Sequence, residues 1–323
     1  MLISRRSLAG AGAALAVAPG LVGHSPAMAA QPPATAQGPA FFHYRVGDLQ
    51  CTAINDGMAF RSLDGFVPNA PPGALQKAMA DAFLPTDRYP IPFTTVVVNT
   101  GSKLVLIDTG NADLGAPATG TWLANFRAAG FDPANVDTVV ISHFHGDHIN
   151  GIRPKDGAAR FPRAEVMVPA AEWAFWMSDE NMEKAPAGMK PAFQNVRRVF
   201  GPIAANVTRY EWDKEIVPGI TALDASGHTP GHTAFALSSG TGKLLVLSDT
   251  TNNPNIFARN PGWSAIFDQD GPKAVATRRR LLDMAATERM QAAFYHAPFP
   301  ATGHIVREGD GYALVPLMWR PEV

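Results

Sequence analysis

The chain has 323 residues, of which 46% are hydrophobic and 17% are charged, and its formal net charge is −1. This balance is typical of a soluble globular protein with a sizeable core, and it lacks the positive charge that nucleic acids or anionic membranes would attract. Cys51 is the only cysteine, which excludes an intramolecular disulfide and a cysteine-based zinc site. We expect it to be a small buried side chain in a strand.

The first 30 residues are expected to be an export signal. Arg5 and Arg6 precede a weakly apolar run of small residues, and "AMA" at 27–29 offers a cleavage site. A membrane anchor is the alternative, but the run is short and rich in Ala and Gly, which makes it a poor membrane span. We therefore expect a twin-arginine signal over 1–30, a flexible leader over 31–40, and a periplasmic or secreted mature protein without a membrane anchor.

Residues 41–323 are predicted to form a single α/β domain. Its first elements are hairpins with turns at Gly47-Asp48 and at 99–102, followed by a helix that ends at Gly130. The later predicted strands are "DTVVIS", "AEVMVP", "ITALDASG", "TAFALSSGTGKLLVLSDT", "MQAAFYHAPF" and "GYALVPLMW", and the later helices lie around Trp173 and in "PKAVATRRRLLDMAATE". This order favours two mixed sheets that pack together, with helices outside. The basic cluster at 278–280 is interpreted as a solvated helix face.

Seven of the nine histidines form three groups, and each group lies next to an apolar strand. The groups are "HFHGDH" at 143–148, the pair at 228 and 232, and the pair at 296 and 304. Strand ends carry the functional loops of α/β scaffolds, so we expect the groups to converge. Burying so many ionisable side chains together is costly unless a cation holds them, which predicts a metal site.

Counting along the predicted hairpins gives a test of this convergence. If 239–242 form a turn, Ser238 pairs with Lys243 and His232 lies opposite Asp249, with Cβ atoms roughly 5 Å apart. The same count on the second hairpin places Phe93 opposite Asp108.

Several spaced motifs resemble the metallo-β-lactamase superfamily. They are H-x-H-x-D-H at 143–148, "IDTG" at 107–110, "GHTPGHT" at 227–233 and "LSDT" at 247–250, followed by His296. Within the superfamily, "NTGSKLVLIDTG" and "YHAPFPATGHIVREGDGYALVP" are similar to methyl parathion hydrolases and related exported lactonases and arylesterases. The resemblance implies an αββα sandwich of two mixed sheets flanked by helices, with metals at one edge.

The resemblance also implies a centre of two divalent ions, with zinc as the first choice and manganese, cobalt or iron as alternatives. The implied ligands are His143, His145 and His232 for one metal, Asp147, His148 and His296 for the other, and Asp249 as the bridge. His296 is preferred to His304 because a strand end fixes a ligand better than a loop does. Asp108, His228 and His304 are expected to support the ligands or to line the site.

A dinuclear centre of this kind activates water for attack on a carbonyl or phosphoryl group, with Asp147 or Asp249 as the implied proton shuttle. The implied function is hydrolysis of lactones or aryl esters, acyl-homoserine lactones included, with promiscuous phosphotriesterase activity. An organophosphate hydrolase of the methyl parathion type is the alternative. An iron-dependent oxidoreductase, a β-lactamase and a non-catalytic binding protein are less favoured, since the chain has no flavin domain or further cysteines and retains a complete ligand set.

Aromatic residues in 170–190 and 250–267 predict loops that wall an apolar substrate pocket. The candidates for this wall are Trp176, Phe93 and Phe267. The stretch "NADLGAPATG" after 110 carries no aromatic residue, which disfavours a bulky phosphotriester. The expected partner is a small ester or lactone, and a homodimer is left open.

Overall fold

The computed structural model describes residues 33–323, so the predicted export signal over 1–30 lies outside the described residues. Gly38–Val323 forms one compact unit. None of the helices within 33–323 is long and apolar enough to cross a membrane.

The strands are β1 (Phe41–Val46), β2 (Leu49–Arg61), β3 (Tyr89–Asn99), β4 (Leu104–Ile107), β5 (Thr138–Val140), β6 (Glu165–Pro169), β7 (Val207–Tyr210), β8 (Lys214–Val217), β9 (Ile220–Asp224), β10 (Thr233–Ser239), β11 (Gly242–Val246), β12 (Gln291–Ala293), β13 (Thr302–Glu308) and β14 (Gly311–Pro316). The α-helices are α1 (Ala74–Asp81), α2 (Trp122–Ala128), α3 (Gly146–Ile149), α4 (Ala170–Trp176), α5 (Asp179–Lys184), α6 (Lys190–Phe200), α7 (Pro254–Phe257) and α8 (Gly271–Thr287).

The strands form two seven-stranded sheets, ordered β1 to β7 and β14 to β8. Strands β1 to β4 are antiparallel and β4 to β7 are parallel in the first sheet. In the second sheet only β11 and β12 pair in parallel. Both sheets are therefore mixed, as predicted.

Three apolar layers show why the sheets stack. Val98 of β3 and Phe235 of β10 belong to one buried cluster, so this core lies between the sheets. The other face of the first sheet packs against helices α2 and α6 through side chains such as Trp122. The other face of the second sheet packs against α8 through side chains such as Leu281. The αββα sandwich is confirmed.

Several local predictions are confirmed as well. Val46 pairs with Leu49 across the first turn, and Ser238 pairs with Lys243 across the later hairpin. The helix before Gly130 ends where that residue adopts a φ of 90°. Cys51 is fully buried, and burial raises the pKa of its thiol to about 12.

The register of the hairpin β3–β4 was predicted wrongly by two residues. Asn99 pairs with Leu104, so the ladder runs to Val96 and Ile107, and Phe93 does not lie opposite Asp108. The cause is the turn, which lies one residue later than expected. Asn99 Oδ1 accepts a hydrogen bond from the backbone N–H of Gly101 at 2.8 Å, and Gly101 has a φ of 85°. This Asx turn places the bend after Asn99 rather than at it.

The predicted helix around Trp173 is confirmed as α4, but the rest of 170–190, predicted as a loop, contains α5. Ser178 caps α5 by accepting a hydrogen bond from Asn181 N, a local signal that the aromatic content concealed. Residues 250–267 contain the short helix α7 and otherwise lie in turns, and Asn252 and Phe267 of this segment reach the cavity described below.

The two sheets present their functional segments at one edge. Strands β4 and β5 are parallel, so Asp108 and the loop that begins after Val140 leave the first sheet together. Strands β11 and β12 are also parallel, so Asp249 and His296 follow neighbouring strand ends of the second sheet. Carboxyl ends of parallel strands meet at the same edge, which brings the histidine groups together.

Candidate metal centre

The first group of facing side chains consists of His143, His145, His228 and Asp249, whose ligand atoms all lie within 4.8 Å of one another. His145 Nδ1 lies 3.1 Å from His143 Nε2 and 3.0 Å from His228 Nε2. Asp249 Oδ2 lies 3.2 Å from His228 Nε2. Three imidazole nitrogens and one carboxylate oxygen thus surround a common point.

The second group consists of Asp147, His148 and His296, again with ligand atoms within 4.8 Å of one another. Asp249 Oδ1 lies 3.3 Å from His148 Nε2, and its Oδ2 lies 3.1 Å from His296 Nε2. Because Asp249 also faces the first group, its carboxylate occupies the position expected of a bridge.

Divalent metals fit this arrangement. His148 Nε2 and Asp249 Oδ1 are buried and have no hydrogen-bond partner within the described part of the chain, although buried polar atoms are normally satisfied. The Nδ1 atoms of His148 and His296 donate hydrogen bonds to Asp108 and to Pro92 O, each at 2.8 Å, which leaves each Nε2 free to bind a cation. A donor set of nitrogen and oxygen suits zinc and also manganese, cobalt or iron.

His228, rather than the expected His232, belongs to the first group of facing side chains. His232 Nε2 accepts a hydrogen bond from the backbone N–H of Asp249 at 3.1 Å, and its Nδ1 donates to Ala225 O at 2.8 Å. Burial and the neighbouring His228 lower the pKa of His232 to about 3, so this ring remains neutral with both nitrogens engaged. His228 is the candidate ligand, since its Nε2 faces the cluster.

The backbone before His228 packs closely against α8. Gly227 has a φ of 129°, and a β-carbon there would lie 2.3 Å from Ala274 N of α8. Only glycine permits this approach, which holds the loop that carries His228 against the helix. The repeated "GH" in the motif contains no signal that would distinguish the two histidines.

Asp108 lies on the Nδ1 side of the His148 ring. Asp108 has a φ of 60°, and its carboxylate accepts hydrogen bonds from Ser142 N at 2.8 Å and from Ser142 Oγ at 2.7 Å. Its Oδ2 also accepts from His148 Nδ1. A non-glycine residue in the left-handed region is held there by these contacts, which fix the ring of His148.

Arg278 was wrongly interpreted as part of a solvated helix face. It is 1% exposed, whereas Arg279 and Arg280 are exposed. Arg278 Nε donates to Thr250 O at 2.8 Å, and its Nη2 lies 3.4 Å from Asp268 Oδ2. Arg278 shares a face of α8 with Leu281 and Leu282 at spacings of three and four, a periodicity that could have revealed its burial.

Asp268 connects Arg278 to the candidate centre. Its Oδ1 accepts a hydrogen bond from His228 Nδ1 at 2.9 Å. Burial would lower the pKa of His228, but hydrogen bonds to Asp249 and Asp268 outweigh it and raise that pKa to about 9. Sequence reasoning missed Asp268, because a lone aspartate in a loop carries no spacing signal.

Glu172 of α4 is a second support that the sequence did not indicate. It is fully buried, and its carboxylate accepts hydrogen bonds from Phe144 N at 3.0 Å and from Gly231 N at 2.7 Å. It also accepts from Trp176 Nε1 at 2.7 Å. One carboxylate thereby connects the two loops that carry His143, His145 and His228.

His304 does not lie at the centre. It pairs with Gln291 at the amino end of β12, whereas His296 follows the carboxyl end of that strand. Its Nδ1 lies 3.2 Å from Met290 O. Because His304 and His296 lie at opposite ends of β12, His304 is away from the centre. The prediction that His304 lines the site or supports its ligands is wrong.

An open cavity of about 550 Å³ adjoins both groups. Phe93 and Phe267 line it as predicted, and so does Leu114 of the segment 111–120. Phe60 and Ile91 add apolar wall that the sequence did not indicate. Three asparagines, Asn111, Asn150 and Asn252, also line it. Trp176 does not: it is 1% exposed and packs on Phe193 with ring centroids 4.7 Å apart, so the prediction that it walls the pocket is wrong.

Two adjacent groups of metal-binding side chains beside a substrate-sized cavity, at one edge of an αββα sandwich, define a metal-dependent hydrolase. Residues 90–290 match the family model of the metallo-beta-lactamase superfamily, and the chain belongs to this superfamily.

Individual relatives agree with this membership. An N-acyl homoserine lactonase from Bacillus sp is 22% identical over 253 residues, which cover 72% of this chain and 88% of the relative. The structure is similar to AidC, a dizinc quorum-quenching lactonase in complex with the product N-hexanoyl-L-homoserine, with a TM-score of 0.82 and 25% identity over 87% of this chain and 98% of that one. It is also similar to the hydrolase AbOPH, with a TM-score of 0.83 and 27% identity over 88% and 100% of the two chains.

Proposed function

We propose that the protein hydrolyses lactones, with N-acyl homoserine lactones as the first class, and aryl esters and phosphotriesters as weaker substrates. The observation that carries this proposal is the contact between the two groups of ligand side chains and a cavity with both apolar and amide walls. The similarity to a homoserine lactonase and to AidC supports the choice of lactones.

In this proposal His143, His145 and His228 hold one metal, and Asp147, His148 and His296 hold the other, with Asp249 between them. Two divalent ions, when bound, lower the pKa of a water and polarise the substrate carbonyl. The hydrogen bond from Asp249 N to His232 fixes the backbone of the bridge.

Asp147 is the residue best placed to move a proton. Its side chain is 22% exposed, against 6% for Asp249. Asp147 Oδ2 lies 3.3 Å from His148, so the other carboxylate oxygen is available to take a proton from the attacking water and return it to the leaving alkoxide.

The test is a hydrolysis screen of the metal-loaded protein against lactones, aryl esters and phosphotriesters, with an Asp249→Ala variant as control. We expect lactone hydrolysis by the wild type and joint loss of metal and activity in the variant. Absence of lactone hydrolysis at full metal occupancy would refute the proposal. Oxygen uptake by the iron-loaded protein, or turnover of a penicillin or carbapenem, would support the oxidoreductase or the β-lactamase instead.

We also propose export of the protein through its twin-arginine segment. Paired Arg5→Lys and Arg6→Lys changes should retain the protein in the cytoplasm of a bacterial host, whereas the wild type should reach the periplasm or the medium. Fractionation with an antibody measures both. Equal export of the two forms would contradict the proposal.

A further inference from the structure

Asn150 lies at the carboxyl end of α3 and lines the cavity together with Gly146 and Asp147. It is 6% exposed, so its amide is part of the cavity wall rather than of the outer surface. The proposed mechanism gives this side chain no role.

The orientation of the Asn150 amide is fixed by its partners. Asn150 Oδ1 accepts hydrogen bonds from Asn195 Nδ2 at 2.9 Å and from Arg198 Nη2 at 3.1 Å. A guanidinium group can only donate, so the oxygen of the amide must face Arg198. Nδ2 therefore lies on the other side of the amide, near Gly146. A β-carbon added at Gly146 would lie 3.1 Å from this nitrogen. Within residues 33–323 the structure gives Nδ2 no protein acceptor.

Asn111 presents the opposite group to the same cavity. Its Nδ2 donates to Asp56 Oδ2 at 3.1 Å, and the same oxygen accepts from Asn111 N at 2.6 Å. Because a carboxylate only accepts, this contact fixes the orientation of the amide. Asn111 Oδ1 then lies near Gly115, another residue of the cavity wall. Two amides of fixed orientation therefore line the cavity, with Asn150 Nδ2 next to Gly146 and Asn111 Oδ1 next to Gly115 of its wall.

We propose that Asn150 and Asn111 select substrates that carry a secondary amide beside the scissile ester. The N–H of Asn150 Nδ2 donates to the amide carbonyl, and Asn111 Oδ1 accepts the amide N–H. This inference rests on the proposed lactonase function and assigns its specificity to the acylamino group rather than to the ring alone. A site built to hydrogen-bond a polar group discriminates strongly against an analogue that lacks it.

The experiment compares kcat/KM for N-hexanoyl-homoserine lactone and for γ-decanolactone, an alkyl lactone without the amide. We expect the wild type to prefer the first, and Asn150→Ala to reduce the ratio of the two values by about tenfold, mainly through KM for the amide substrate. Arg198→Met should reduce the ratio in the same direction but less, because it keeps the Asn150 side chain and removes one of the two donors that orient it. Arg197→Met is the matched control: Arg197 lies beside Arg198 on α6 but pairs with Asp179 of α5, so its loss should not change the ratio.

Metal content is measured for each variant, so that a change in the ratio is not confused with loss of the centre. An unchanged ratio in metal-replete Asn150→Ala, or in Arg198→Met if the first variant does not fold, overturns the inference but leaves the proposed function standing. Equal hydrolysis of the two lactones by the wild type also overturns it. If the wild type hydrolyses neither lactone, the proposed function fails and the inference fails with it.

Discussion

His228 and His232 are four residues apart in one loop, yet their rings face different partners. His228 Nε2 faces Asp249 and His145, whereas His232 bonds to two backbone groups. We expect His228→Ala to lose metal and activity together. His232→Ala should retain more metal but lower the free energy of unfolding by about 1 to 3 kcal/mol, because buried backbone groups lose their partner. Metal analysis and chemical denaturation measure the two effects, and greater metal loss in the His232 variant would reverse the assignment.

Arg278 contacts Asp268, and Asp268 contacts His228, so a substitution of Arg278 should affect the candidate centre. Arg278→Met removes one of the two groups that pair with the buried carboxylate of Asp268, and breaking a buried pair costs about 3 to 5 kcal/mol of stability. We expect a lower melting temperature and weaker metal binding, since Asp268 orients His228. Arg279→Met is the control, because Arg279 is exposed on the same helix. Equal stability of the two variants would show that Arg278 is not a support of the centre.

At the level of elements, the sequence predicted what depends on local pattern. The turn that joins β10 and β11 was located correctly, and counting outward from it gave the observed pairing of Ser238 with Lys243. The same count placed His232 opposite Asp249, and these two residues are in contact. The same count failed at β3–β4, because the turn is moved by a hydrogen bond that the backbone N–H of Gly101 donates to the Asn99 side chain. The helix around Trp173 was predicted and is α4, whereas α5 was missed because none of its residues is buried and so no apolar periodicity marks it.

Glu172 connects elements that are distant in sequence, so its loss should disturb more than α4. Glu172→Gln places an amide N–H against the backbone N–H of Phe144 or Gly231, where the carboxylate now accepts. We expect a loss of about 1 to 3 kcal/mol in stability and reduced metal occupancy. Glu180→Gln is the control, since Glu180 forms only an exposed ion pair with Lys184 on α5. Unchanged metal binding in a destabilised Glu172 variant would limit its role to folding.

At the level of the whole molecule, the centre exists because two sheets place parallel strand ends at a common edge. The H-x-H-x-D-H motif and its resemblance to a known superfamily were sufficient to predict this fold and most of the cluster. The cavity wall was predicted only in part: the segment 111–120, which carries Leu114, was expected near the substrate, whereas Phe60 comes from β2, which only the folded chain brings to the site. Residues that support the centre, such as Arg278 and Asp268, likewise depend on packing between α8 and a loop.

The residues of the cavity wall bear on substrate preference. The cavity is lined by apolar side chains, among them Phe60, Phe93 and Phe267, and by asparagines. We expect a flat lactone or aryl ester to suit this wall better than a bulky phosphotriester, which would bury more apolar surface. We expect kcat/KM for the lactone to exceed that for methyl parathion by at least about tenfold, which is about 1.4 kcal/mol in transition-state binding. Leu114→Phe should narrow this difference, because Leu114 lines the cavity and is 37% exposed. Leu114→Ala should not narrow it, and a wild-type preference for methyl parathion would identify the cavity as a phosphotriester site instead.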